Sequence, residues 1–207
     1  MVKVVNFKAF LKLVREEAEK AKISFVNGKV IFVPTPYFTK MQNAVIKYGN
    51  LNQLYDFAVQ NFKGANVKAL SERILKSKQP ILNYKWALNV VGANALSHGK
   101  VVLEDKDPFL NMLYAANVPN ANVREHEKLV LLSKEPLACF NFAFKVKGAH
   151  IPSHVRVIVE GTDEVAKNLL KENHEFLVKK FTESITPYKQ RDKLRDALQS
   201  STEFEFI

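Results

Sequence analysis

The phrase Gly64-Ala65-Asn66 returns as Gly92-Ala93-Asn94, Asn120-Ala121-Asn122 and Gly148-Ala149-His150, each copy 28 residues after the last. A fixed period of this size marks a repeat architecture, in which one supersecondary unit buries its apolar face on the next. Cut after each phrase, the units are VKALSERILKSKQPILNYKWALNVVGAN (67–94), ALSHGKVVLEDKDPFLNMLYAANVPNAN (95–122) and VREHEKLVLLSKEPLACFNFAFKVKGAH (123–150). The stretch TKMQNAVIKYGNLNQLYDFAVQNFKGAN (39–66) precedes them, and a divergent unit opening IPSHVRVIVEGTDEVAKNLL follows.

Each unit divides into two helices. Its first half spaces apolar residues as Val67, Leu70, Ile74 and Leu75 do, along one face of an α-helix. A polar turn follows, and Gln79-Pro80, Asp107-Pro108 and Glu135-Pro136 then place a polar residue before a proline, a helix start at which the missing proline N–H costs nothing. Asp163-Glu164 keeps the acidic start without the proline. The second half repeats Trp86-Ala87, Tyr114-Ala115 and Phe142-Ala143, with Val90, Val118 and Val146 one turn later. Small beside large lets neighbouring helices approach. The Gly or Asn that opens the recurrent phrase then ends the helix, since either takes the left-handed conformation of a C-terminal cap. Helices of roughly 10 to 12 residues are marginal alone, so the units must stack and share a core.

This phrasing, from polar residue and Pro through aromatic-Ala and Val to Gly-Ala-Asn, resembles the short degenerate 28-residue α-helical repeats, HEAT-like in style, of uncharacterised phage and bacterial proteins. The resemblance covers residues 39–178. It implies a mainly α chain built as an α-solenoid, and a viral origin: a phage-encoded modulator of a host factor, acting in the host cytoplasm. It supplies no catalytic residue to carry over.

Outside the array, VNFKAFLKLVREEAEKAK (5–22) sets Phe7, Phe10, Leu11, Val14 and Ala18 on one stripe of an amphipathic helix. In ISFVNGKVIFV, Asn27-Gly28 between β-rich runs predicts a hairpin. Residues 1–38 therefore form a helix and β-hairpin cap, packed on the first repeat. Residues 164–185 are expected to run as one long helix, with C-terminal capping helices over 179–200 broken at Pro187. The tail at 201–207 alternates acidic and aromatic residues in Glu203-Phe204-Glu205-Phe206-Ile207, the period of a strand. It is expected to add a strand to a hairpin edge on another molecule.

Composition sets bounds on function. An apolar share of 47 % and a charged share of 25 % suit an ordinary globular chain, with no apolar run near the roughly 18 residues of a membrane span, and the opening MVKVVNFKAF lacks the apolar core of a signal peptide. The expected compartment is the cytoplasm. A single cysteine, Cys139, excludes an internal disulfide and sits in an apolar setting. A net charge of +10 favours acidic partners.

No P-loop, GxGxxG, GxSxG, HExxH or CxxC pattern is present, so neither a catalytic residue nor a cofactor site is expected. His98, His126 and His154 share unit position 4, with His150 close by, but helices stack about 8–10 Å apart, too far for one metal between adjacent units. An amphipathic spacer between stacked helices is the better assignment, ahead of a metal or pH-sensing role; no metal site is expected. The charge columns say more: Lys78, Lys106 and Lys134 at position 12, and Lys100, Lys128 and Arg156 at position 6. A solenoid turns such positions into a line. These six cations, with Phe204 and Phe206, are the candidate partner-binding residues of a non-enzymatic protein that engages an acidic protein surface. A nucleic-acid-binding solenoid with a basic stripe is the alternative, and the expected state is a monomer or weak head-to-tail oligomer.

Overall fold

In the computed structural model, residues 7–26 and 29–184 are described, and most of them belong to helices. The chain opens with α1 (Phe7–Ala18), β1 (Lys22–Val26) and β2 (Lys29–Val33). Then come α2 (Pro36–Tyr48), α3 (Leu51–Ala58), α4 (Val67–Lys76), α5 (Pro80–Asn89), α6 (Ala95–Asp105) and α7 (Pro108–Asn117). The series ends with α8 (Val123–Ser133), α9 (Pro136–Lys145), α10 (Ile151–Glu160), α11 (Glu164–Glu172) and α12 (His174–Ser184). The described residues fall into two compact units, one running to Leu110 and taking in Asn117–Asn122, the other joining Asn111–Ala116 to everything from Val123 onward.

In the first unit, α1 lays Val14 and Ala18 into the core, and Phe7, Phe10 and Leu11 pack against it. The predicted stripe is thus the buried one, although the helix stops at Ala18 because β1 begins four residues on. β1 and β2 pair antiparallel with Val26 opposite Lys29, the register of a two-residue connection. The hairpin end meets the array at Gly64, where φ is +78° and an added Cβ would lie 3.1 Å from Pro34. Only glycine fits there without strain. Thr35-Pro36 starts α2, with the Thr35 hydroxyl accepting from Phe38 N–H at 3.0 Å, so the first long helix begins three residues before position 39. Phe38, Phe57 and Phe62 form a triad of rings 5.1 to 6.2 Å apart. Leu70, Ile74, Leu82, Trp86 and Val90 extend the same core through α4 and α5. α2 packs on α4 and α4 on α6, like against like one repeat along.

The second unit repeats the arrangement. α8 packs on α10 and α9 on α11, around a core of Val130, Ala138, Cys139, Phe142, Ala143, Val146, Ile158 and Leu177. Lys180 of α12 donates to the carbonyls of Ala143, Phe144 and Val146 at 2.8 to 2.9 Å, at the C-terminal end of α9 where carbonyls lack partners within the helix. The single long helix expected over 164–185 is interrupted. Asn173 leaves helical geometry (φ −109°, ψ 12°) and its side chain donates to Leu169 O at 2.9 Å, which closes α11 and lets α12 start afresh.

The repeat phrase does two jobs. Gly64, Gly92, Asn120 and Gly148 all have φ between +61° and +82°, the left-handed caps anticipated for them. Two residues later Asn66 and Asn94 accept from Ala69 N–H and Ser97 N–H at 3.0 Å, so each also caps the next helix. Of the polar residues before proline, Asp107 caps as expected, accepting from Phe109 and Leu110 N–H at 2.8 and 3.1 Å. Gln79 and Glu135 make no side-chain cap; their own N–H groups go to Ser77 and Ser133 hydroxyls.

Candidate functional site

The position-4 histidines are buried, and each lies against the aromatic residue twelve before it: His126 stacks on Tyr114 at 4.7 Å and His154 on Phe142 at 4.9 Å, while His98 meets Trp86 tilted at 6.1 Å. Asn83 donates to the carbonyls of Gln79 and Ile74, which turns its oxygen toward His98 Nδ1 at 2.7 Å; Ser71 Oγ lies 2.7 Å from Nε2. That network assigns a neutral ring protonated on Nδ1 and accepting from serine. Asn111 repeats the first contact with His126 Nδ1 at 2.6 Å, while His126 Nε2 has no partner. Gly99 holds the sequence position that Ser71 and Glu127 hold 28 residues either side, and offers no side-chain group. At His154 the roles exchange. Nε2 faces Glu127 at 3.1 Å and Nδ1 has no partner, because Cys139 stands where Asn83 and Asn111 stood.

Burial fixes the charge states. It lowers the pKa of both His98 and His126 to about 4, and raises the Cys139 thiol to about 12 with help from the Glu135 carboxylate. Burial pushes Glu127 upward, but the bonds it accepts from His154 and from the His150 N–H outweigh this and leave its pKa lowered. His150 itself is exposed, bonded to Ser153. Among the described residues, no group of three or more His, Cys, Asp or Glu side chains could hold a metal ion. The three position-4 histidines lie within the core, each with one ring nitrogen or both bonded to a buried side chain.

The candidate cations face outward. Lys78, Lys100, Lys106, Lys128, Lys134 and Arg156 are all exposed. The first three belong to the first unit and the others to the second. Lys78 reaches Glu104 at 3.4 Å and Arg156 reaches Glu160 at 2.7 Å, so each shares its charge with an acidic neighbour. Phe204 and Phe206 lie outside the described residues, as does the expectation placed on the tail.

Two features escaped the sequence reading. Lys78, Lys106 and Lys134 have φ of 51°, 60° and 54°, a left-handed conformation that costs an L-residue other than glycine about 1 kcal/mol or more. And the position three residues beyond each of these lysines is apolar: Ile81 is 61 % exposed, Phe109 38 %, and Leu137 half-buried. The first was invisible because rules of propensity reserve such backbone for Gly and Asn. The second could have been found by carrying the 28-residue register one column further.

No family model, curated protein or solved structure matches the chain.

Proposed function

We propose that this chain is a non-enzymatic binding protein, an α-solenoid of 28-residue helical hairpins that engages an acidic protein surface through its outward cations. The observation that carries this reading is the left-handed lysine. At the other recurrent left-handed position the chain uses Gly64, Gly92, Asn120 and Gly148, the residues the backbone prefers. At position 12 it keeps lysine three times, against that preference. A positive charge at a helix C-terminus recovers part of the cost, about 0.3–1 kcal/mol, yet does not require the charge on the strained residue itself. A side chain kept at a conformational cost, exposed and in register, is one selected for what it meets.

Stacking of α2, α4 and α6, and of α8 and α10, supports the solenoid. No helix of the described residues is long and apolar enough to cross a membrane. The resemblance stated above adds a viral setting, a phage-encoded modulator in the host cytoplasm. The second reading, a track for nucleic acid, is favoured by the net charge of +10, while the exposed apolar residues three positions beyond the lysines, Ile81 and Phe109, suit a protein partner better than phosphate. A mobility-shift titration at low and at physiological salt separates the two. Absence of a shift at both is expected; a shift that persists at physiological salt and disappears in Lys106→Glu/Lys134→Glu would replace the protein partner by a nucleic acid.

A further inference from the structure

In the first unit, the turn between α4 and α5 opens a shallow cleft lined by Asn52, Gln79, Pro80, Ile81, Leu82 and Lys85. It combines an apolar wall with cations: Ile81 is 61 % exposed, and Lys85 and Lys78 are exposed beside it. One repeat on in the same unit, Lys106 and exposed Phe109 restate the pair. These turns follow α4 and α6, which pack as neighbours, and packed helices lie about 8–10 Å apart. A ligand that meets both turns must therefore present the same face again after about that distance.

The spacing chooses between shapes. An extended strand rises about 3.3 Å per residue and alternates faces, so its like-facing residues recur at about 6.6 or 13 Å, and neither fits. An α-helix returns to nearly the same face after seven residues, a rise of about 10.5 Å. We propose that this surface binds an acidic amphipathic α-helix of a protein partner. One apolar side chain seats against Pro80, Ile81 and Leu82 and another, a heptad away, against Phe109. Carboxylates on the flanks of the helix meet Lys78, Lys85 and Lys106. The assignment rests on the partner-binding reading and names the partner's chemistry. The exposed Lys85 and Lys106 carry it together with the apolar wall, and a nucleic acid fits the surface less well because Ile81 and Phe109 offer a phosphate nothing.

The test titrates the full chain into a fluorescent synthetic peptide of about 21 residues, with glutamate and leucine placed in a seven-residue repeat, and follows anisotropy. A scrambled peptide of the same composition and a DNA duplex are run beside it. The amphipathic peptide is expected to bind at least about tenfold more tightly than the scrambled one. Ile81→Asp and Lys106→Glu, both at exposed positions, should each weaken it by about tenfold or more with unchanged circular dichroism. Glu104→Gln should tighten it by releasing Lys78. Equal binding of the scrambled peptide or of DNA, or indifference to Ile81→Asp, overturns the proposal. If no peptide binds while Lys106→Glu still abolishes capture of a protein partner from the native source, the helix assignment fails and the partner-binding reading stands. If capture too is unaffected, both fail.

Discussion

His98 and His126 sit in pockets that accept only the neutral ring, and this ties stability to pH. Their folded pKa of about 4 lies below the ordinary 6.5, so the unfolded chain takes up protons first as pH falls. Above 6.5 the two contribute nothing to the pH dependence; between 6.5 and about 4 each removes stability, up to about 3 kcal/mol for a shift of this size. Urea midpoints measured across that window should fall steeply, and a flat profile would mean the rings are not buried as neutral species. At Lys106, with φ of 60°, substitution by glycine removes strain: Lys106→Gly should raise stability by about 0.5–1 kcal/mol while weakening partner binding. A loss of stability on that exchange would remove the case for a lysine kept at a cost. The histidine pockets were only half legible. Burial of the column followed from Leu70 at the same position, but Asn83 and Asn111 stand 15 residues before their histidines, a separation that no helical period announces.

At the scale of the element, the helices were well marked in the sequence because start, face and stop signals agree in register. Trp86 was expected in the core and is fully buried on α5, so Trp86→Ala should cost about 3–5 kcal/mol. Its Nε1 has no partner, and Trp86→Phe, which removes that unpaired donor, should cost much less. Asp107→Ala should cost about 1 kcal/mol as a lost cap on α7, whereas Gln79→Ala and Glu135→Ala, whose side chains make no cap, should be near neutral. Thermal denaturation of the five single variants orders them. Lys180 was not legible at all, since a lysine on an amphipathic helix looks solvated until a neighbouring helix end is placed beneath it. Lys180→Met keeps the stem and leaves three carbonyls without their donor; a destabilisation of about 1–3 kcal/mol is expected in the same assay.

For the molecule as a whole, the period marked the repeats and set Lys78, Lys106 and Lys134 in one column, but it did not show their backbone conformation. No pattern of side chains encodes that: three lysines take a conformation meant for glycine, each followed by an apolar residue at the same turn. The break at Asn173 was hidden for a related reason, because an asparagine in an amphipathic run can face solvent or turn back on its own helix. The central claim is that the outward cations of the repeats bind a protein. Its most direct measurement is affinity capture from the native source with the full chain and with Lys106→Glu/Lys134→Glu, matched for melting temperature and quantified by mass spectrometry. The account predicts one protein recovered near equal stoichiometry by the wild type, released by salt and lost from the double variant. Equal recovery by both chains would contradict it.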